Sequence, residues 1–245
     1  MVVEVADRIY RLGAELVNWW IVEDGGRLTV IDAGNPRQYE QLPKALAALG
    51  WSLGDVEAVV LTHAHGDHLG SSARIKSATG AGVHLHIDDV GLARGDTRRE
   101  YERHYARDLG HGFARKSLLF FMRGGAAKAP PVHELIEFSH GDTLDVPGKP
   151  RVIHTPGHTD GSACLELPDR KTVVTGDALV TLSIVTGDRG PRIMPGSFNK
   201  NSVEALESLN ELKGVSADVI LPGHGEPWHG SVDAAVSVAQ RTGAS

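Results

Sequence analysis

The stretch Ala58-Val59-Val60-Leu61-Thr62-His63-Ala64-His65-Gly66-Asp67-His68 decides how this chain is read. Its first half is a short valine-rich apolar run, the pattern of a buried strand. Its second half sets four potential metal ligands within six residues, directly after that strand. A loop at a strand end is free of ladder geometry, and Gly66 is expected to let the backbone turn sharply between ligands. Imidazole nitrogen and carboxylate oxygen together suit zinc, iron and manganese.

Three later segments repeat the design. Arg151 to Thr155 reads as a strand leading into Pro156-Gly157-His158-Thr159. The run Lys171-Thr172-Val173-Val174-Thr175 leads into Gly176-Asp177, and Ala217 to Leu221 leads into Pro222-Gly223-His224-Gly225. Any one of these would pass as an ordinary polar loop. Together they point to strands delivering His63, His65, Asp67, His68, His158, Asp177 and His224 to one edge, where they converge on a metal site.

The intervening chain alternates strands with helices, the pattern of strands covered by helices in one domain spanning 1–245. Trp19 to Val22 and Leu28 to Ile31 read as strands joined through Asp24-Gly25-Gly26. Asn35, Pro36 and Gln38 predict a capped helix start, with Leu42, Ala45, Leu46 and Leu49 as its apolar face and Gly50 as its stop. A short helix is expected from about Leu69 to Gly80. Val83, Leu85 and Ile87 alternate with His84 and His86, which puts both histidines on a polar strand face. Ser162 to Leu167 and Lys171 to Asp177 form a hairpin around Pro168-Asp169-Arg170. Asn201 and Glu204 predict a capping box for a helix carrying Val203, Leu206 and Leu209, and a last helix runs from about Val232 to Gln240.

Composition narrows the function. A formal net charge of -6 gives no reason to expect a nucleic-acid partner. The first residues lack a basic region followed by an apolar run, and no apolar stretch approaches the roughly 20 residues of a membrane span. The single cysteine, Cys164, rules out an internal disulfide and fits a reducing compartment, so a cytoplasmic protein is expected. Cys164 lies in the apolar run Ser162 to Leu167 and reads as an inert packed thiol.

Residues 91–131 differ from the rest. They hold nine basic and four acidic residues, a charge of +5 that leaves -11 on the remainder. They also carry the apolar run Leu118-Leu119-Phe120-Phe121-Met122. The segment reads as a helical insertion between the halves, either a lid over the site or a subunit contact in a homo-oligomer.

From Ile31-Asp32-Ala33-Gly34 through His63–His68, Pro156–Thr159 and Thr175–Asp177 to Pro222–Gly225, the chain resembles the metallo-β-lactamase-fold hydrolase superfamily, in its glyoxalase II-like and lactonase-like branch. The resemblance implies an α/β fold, an αββα sandwich with the site at the sheet edges. It implies that His63, His65 and His158 hold a first metal, that Asp67, His68 and His224 hold a second, and that Asp177 bridges them. Asp32 resembles the family carboxylate that orients the ligand loop, though an aspartate capping a strand end fits the residues equally. The implied cofactors are two divalent ions, zinc first and iron or manganese as alternatives. The implied reaction is hydrolysis of a small-molecule ester, lactone or thioester by a hydroxide bridging the metals, with Asp67 and Asp177 as the catalytic carboxylates. Two readings stay open beside it: a mononuclear-iron enzyme resembling the persulfide dioxygenases, and a phosphodiesterase or nuclease of the same fold. Tyr101, His104 and Tyr105 are candidates to approach a substrate carbonyl.

Overall fold

The structure, a computed structural model, describes residues 2–244. Two sheets lie face to face, and helices cover both outer surfaces. The first sheet runs in sequence order through β1 (Val3–Ala6), β2 (Ile9–Ala14), β3 (Val17–Asp24), β4 (Arg27–Ile31), β5 (Val56–Val60), β6 (Gly82–His86) and β7 (Ile136–Phe138). The second contains β8 (Arg151–His154), β9 (Ala163–Leu167) and β10 (Thr172–Gly176). A two-stranded ribbon, β11 (Val180–Leu182) and β12 (Arg189–Arg192), follows, then β13 (Val219–Pro222) and β14 (Trp228–His229). In the second sheet the spatial order is β14-β13-β10-β9-β8.

Because both faces of each sheet are covered, the central strands are apolar on both sides. Along β3, Trp19 and Ile21 meet helices α1 (Gln41–Leu49) and α2 (Ser72–Thr79), packing with Leu42, Leu46 and Ile75. Trp20 and Val22 turn the other way and meet Val152, Leu165, Val174 and Leu221 of the second sheet. On β10, Val174 faces that inter-sheet core while Val173 faces helices α5 (Ser202–Ser208) and α6 (Val232–Thr242). The alternation of a strand thus sorts its residues between three apolar layers, giving the expected αββα sandwich.

Several expectations change in detail. The Asn35 capping box closes only a tight turn over Pro36–Gln38, and α1 starts at Gln41. Pro43 explains this: it has no N–H to give and is tolerated in the first helical turn but not deep inside a helix begun at Pro36. Ile87 is 49% exposed in a turn beyond β6, and Val203 is 64% exposed because α5 buries Ala205 instead. His86 does not lie on a polar face. It is buried, stacked on His154 with ring centres 4.0 Å apart and edge-on to Phe138. Burial, then the neighbouring His154, pushes its pKa down to about 4. Cys164 is wholly buried, and burial pushes its thiol up to about 12, so it is inert as expected.

The basic segment is helical, with α3 (Val90–Arg94) and α4 (Gly112–Gly124). It leaves after β6 and returns to β7, and both belong to the first sheet. The insertion is therefore an excursion from the first half, completed before the chain crosses to the second sheet. No helix among the described residues is long and apolar enough to cross a membrane.

Candidate metal centre

All seven residues singled out in the sequence meet at one end of the sandwich. His63, His65 and Asp67 with His68 follow β5, His158 follows β8, Asp177 follows β10 and His224 follows β13. Parallel pairing of β10 with β13 brings Asp177 and His224 to the same sheet edge. His63, His65 and His158 have ligand atoms within 4.8 Å of one another, as do Asp67, His68 and His224, and as do His63, His68 and Asp177. Asp177 lies between the groups. Its Oδ2 is 3.0 Å from His224 Nε2 and 3.4 Å from His158 Nε2, and its Oδ1 is 3.4 Å from His68 Nε2.

Three of the imidazoles are held from behind. His68 Nδ1 lies 2.8 Å from Asp32 Oδ2, whose other oxygen accepts the Thr62 N–H at 2.8 Å. Asp32 thus joins the ligand loop rather than merely capping its own strand. Its backbone is left-handed, φ 59°, a conformation that aspartate tolerates better than most residues. His224 Nδ1 donates to the Leu16 carbonyl at 2.5 Å, which leaves Nε2 as the lone-pair nitrogen when the ring is neutral. His158 Nδ1 bonds Asn199 Oδ1 at 3.1 Å, and Asn199 is itself anchored to the Met194 carbonyl.

Asp89 is the largest omission from the sequence reading. This residue is 1% exposed and has no cationic partner among the described residues. Its Oδ2 accepts the Ala64 N–H at 2.8 Å and the Thr159 hydroxyl at 2.9 Å, and its Oδ1 accepts the Gly161 N–H at 2.8 Å. It therefore ties the His63–His65 loop to the His158 loop. Burial raises its pKa against these bonds. Nothing in the spacing of Asp88-Asp89 signals the role. Gly66 has a different role from the one expected. Its φ is not positive; instead, an added Cβ would lie 2.0 Å from the Ala126 carbonyl oxygen, so glycine lets the insertion close onto the ligand loop. Gly223 likewise leaves room for Asp177, whose Oδ1 would be 2.1 Å from a Cβ there.

Charge at the centre is finely divided. Burial drives the His63 ring well below its ordinary pKa, aided by His68 and His158. Burial and His158 do the same to His65. At His68 burial also disfavours charge, but Asp177, Asp32 and Asp67 together push the ring up to about 10. His224 is raised by Asp177 and Asp67 against the effect of burial, and Asp177 is held well below the usual carboxylate range by His224 and His68 against the same effect.

The donor set fits divalent ions. His68 Nε2 and Asp177 Oδ1 are buried and face each other at 3.4 Å, yet neither makes a hydrogen bond among the described residues, a costly arrangement that a bound cation removes. The unprotonated His63 and His65 rings and the ionised Asp177 are the ligand forms that metal binding requires.

A cavity of about 570 Å³ opens over the centre, with Asp67, His158, Asp177 and His224 in its floor. The insertion supplies part of its wall, including Arg99, Tyr101, His104, Leu118 and Phe121. Of the three residues considered for a substrate carbonyl, Tyr105 is engaged elsewhere, because its hydroxyl donates to the Ala114 carbonyl at 2.6 Å. His104 Nδ1 accepts the Ala106 N–H. Tyr101 lines the cavity with its ring 6.0 Å from that of His65, and its hydroxyl accepts a hydrogen bond from Arg99.

The sequence model of the metallo-beta-lactamase superfamily matches residues 12–224. The chain belongs to that superfamily. It is similar to the probable metallo-hydrolase YflN of Bacillus subtilis (strain 168), 24% identical over 93% of this chain and 87% of that one. It is similar to the human acyl-coenzyme A thioesterase MBLAC2, 28% identical over 90% of this chain and 76% of the relative. Among solved structures it resembles a metallo-beta-lactamase family protein from Thermus thermophilus, with a TM-score of 0.65 and 27% identity over 96% of this chain and 79% of that one. The superfamily assignment makes this chain a metal-dependent hydrolase, and its His and Asp clusters are the candidate metal-binding groups.

Proposed function

We propose that this protein is a binuclear metal-dependent hydrolase of small-molecule esters, lactones or thioesters. In this reading His63, His65 and His158 hold one divalent ion, Asp67, His68 and His224 hold the other, and Asp177 is shared. The observation that carries it is the pair of ligand triads around one buried carboxylate, with His68 Nε2 and Asp177 Oδ1 making no hydrogen bond among the described residues. Zinc is the proposed metal, with iron or manganese as alternatives that the same donors accept.

When bound, two such ions lower the pKa of a water molecule toward about 7 and polarise a carbonyl oxygen. The protein's own groups do the rest. Asp32, Asn199 and the Leu16 carbonyl hold the His68, His158 and His224 rings in place, so little reorganisation is needed during reaction. Asp67, part-open to the cavity, takes the proton of the attacking water and returns it to the departing oxygen or sulfur. Asp177 fixes the spacing of the two halves of the site. The Tyr101 hydroxyl donates to the substrate carbonyl oxygen as negative charge develops there. Water is added across the acyl bond, giving a carboxylic acid and an alcohol or thiol, or one hydroxy acid from a lactone. The thioesterase activity in the name of one relative supports the thioester option.

The test is a screen of purified, metal-assayed protein against lactones, thioesters, aryl esters, phosphodiesters and a β-lactam. Turnover of an acyl substrate, lost on chelation and regained with zinc, is expected. Hydrolysis confined to phosphodiesters, or oxygen consumption with a persulfide and no hydrolysis, contradicts the proposal.

A further inference from the structure

The wall of the cavity is chemically divided. Its floor is ionic, but between the insertion and the 184–198 segment it is lined by Leu118, Phe121, Ile184, Met194 and Phe198. Ile184 and Met194 belong to a small apolar cluster against which Phe121 and Phe198 are packed only in part. Leu118, Phe121 and Phe198 are each half-buried, so the protein does not close this apolar surface on itself. An apolar surface next to a reactive centre is suited to an apolar part of the substrate. Phe121 also fixes where that part begins, because its ring centre is 6.1 Å from that of His224, at the floor.

From this division we infer that the cavity is an acyl-chain site: the substrate is a medium-length fatty acyl ester, lactone or thioester whose chain lies between α4 and the 184–198 segment. The inference rests on the hydrolase reading above and adds the substrate class. The volume sets the length. About 570 Å³ is the space of roughly 19 water-sized groups at ~30 Å³ each. A chain of about six to ten carbons with a compact leaving group fills such a space; the far end of a much longer one projects beyond it. Burying each added methylene is worth about a three- to fourfold gain in kcat/KM until the wall is covered. The reaction remains a plain hydrolysis, in which water enters at the acyl carbon and the alcohol or thiol leaves with a proton.

The experiment is a chain-length series on the metal-loaded protein, from acetyl to tetradecanoyl, with one leaving group taken from the ester or thioester that turns over best. A second series lengthens the alcohol or thiol while the acyl group stays acetyl. The expected result is about a tenfold rise in kcat/KM per two carbons up to about eight, then no further rise. Leu118→Trp is expected to move the optimum to shorter chains and Phe121→Ala to longer ones, with metal content unchanged in both. The unsubstituted series decides the matter even if a variant folds poorly. An acetyl substrate as good as octanoyl, or length dependence only on the leaving-group side, overturns the acyl-chain site and leaves the hydrolase reading intact. No turnover of any acyl substrate, at any length, overturns the hydrolase reading itself.

Discussion

Asp89→Asn is the most informative perturbation outside the ligands themselves. Asp89 uses both carboxylate oxygens to accept three hydrogen bonds, from Ala64, Thr159 and Gly161. Asparagine has one acceptor oxygen. If that oxygen keeps the Ala64 and Thr159 donors, the new amide faces the Gly161 N–H, donor against donor. One buried N–H then loses its acceptor, which costs about 1–3 kcal/mol. A domain of this kind is stable by about 5–15 kcal/mol, so the variant is expected to fold. The cost falls on the joint between the His63–His65 and His158 loops, so its effect is local. Losing a group that orients ligands weakens metal affinity by about 10- to 100-fold, which matches the same energy range. The assay is calorimetric titration of zinc into metal-free protein in competition with a chelator, with circular dichroism to confirm the fold. One equivalent should weaken by ~10- to 100-fold and the other should change little. Asp32→Asn, which disturbs His68 instead, should weaken the opposite equivalent. If Asp89→Asn leaves both affinities unchanged, or weakens both equally, Asp89 is not what sets the first ligand group.

Three other outcomes follow from the geometry. Asp177→Ala should abolish nearly all turnover while keeping the fold, whose core lies in three apolar layers away from this edge; near-normal turnover with full metal content means that Asp177 is not shared. Replacing Phe120 and Phe121 with alanine should change KM or specificity with metals retained, as a lid requires; a changed oligomeric state with unaltered specificity assigns the segment to a subunit contact. His86, held at about 4 instead of its ordinary 6.5, stays neutral in the native protein while the unfolded chain takes up a proton. Stability should therefore fall as pH drops from ~6.5 to ~4, with His154, Asp88, His140 and Asp142 as the facing groups, and His86→Gln should flatten that slope in urea titrations. An equal slope in parent and variant removes His86 from the account.

What the sequence made legible was contiguous in it. His63 to His68 carries four ligands in one loop, and each of the other three follows an apolar strand with glycine beside it, so local pattern sufficed. The outer helix layer on the first sheet was legible from the face of α1, and on the second only the span of α6 was. Asp89, Asn199 and the Leu16 carbonyl were not, because each acts across space on a residue between 25 and 208 positions away, with no periodic signal. The burial of His86 was hidden for a related reason. Alternation along β6 separates two faces, but only the second sheet turns the face of His86 into an interior. Gly66 was marked by its place among the ligands, while its physical reason, the Ala126 carbonyl, comes from the far end of the insertion.

The central claim is a two-metal site built from seven side chains, and counting the metals tests it most directly. Elemental analysis of gently purified protein, repeated after dialysis against zinc or manganese, should approach two equivalents per chain. His63→Ala and His224→Ala should each retain about one. A firm single equivalent of iron that added zinc or manganese does not change would contradict the account.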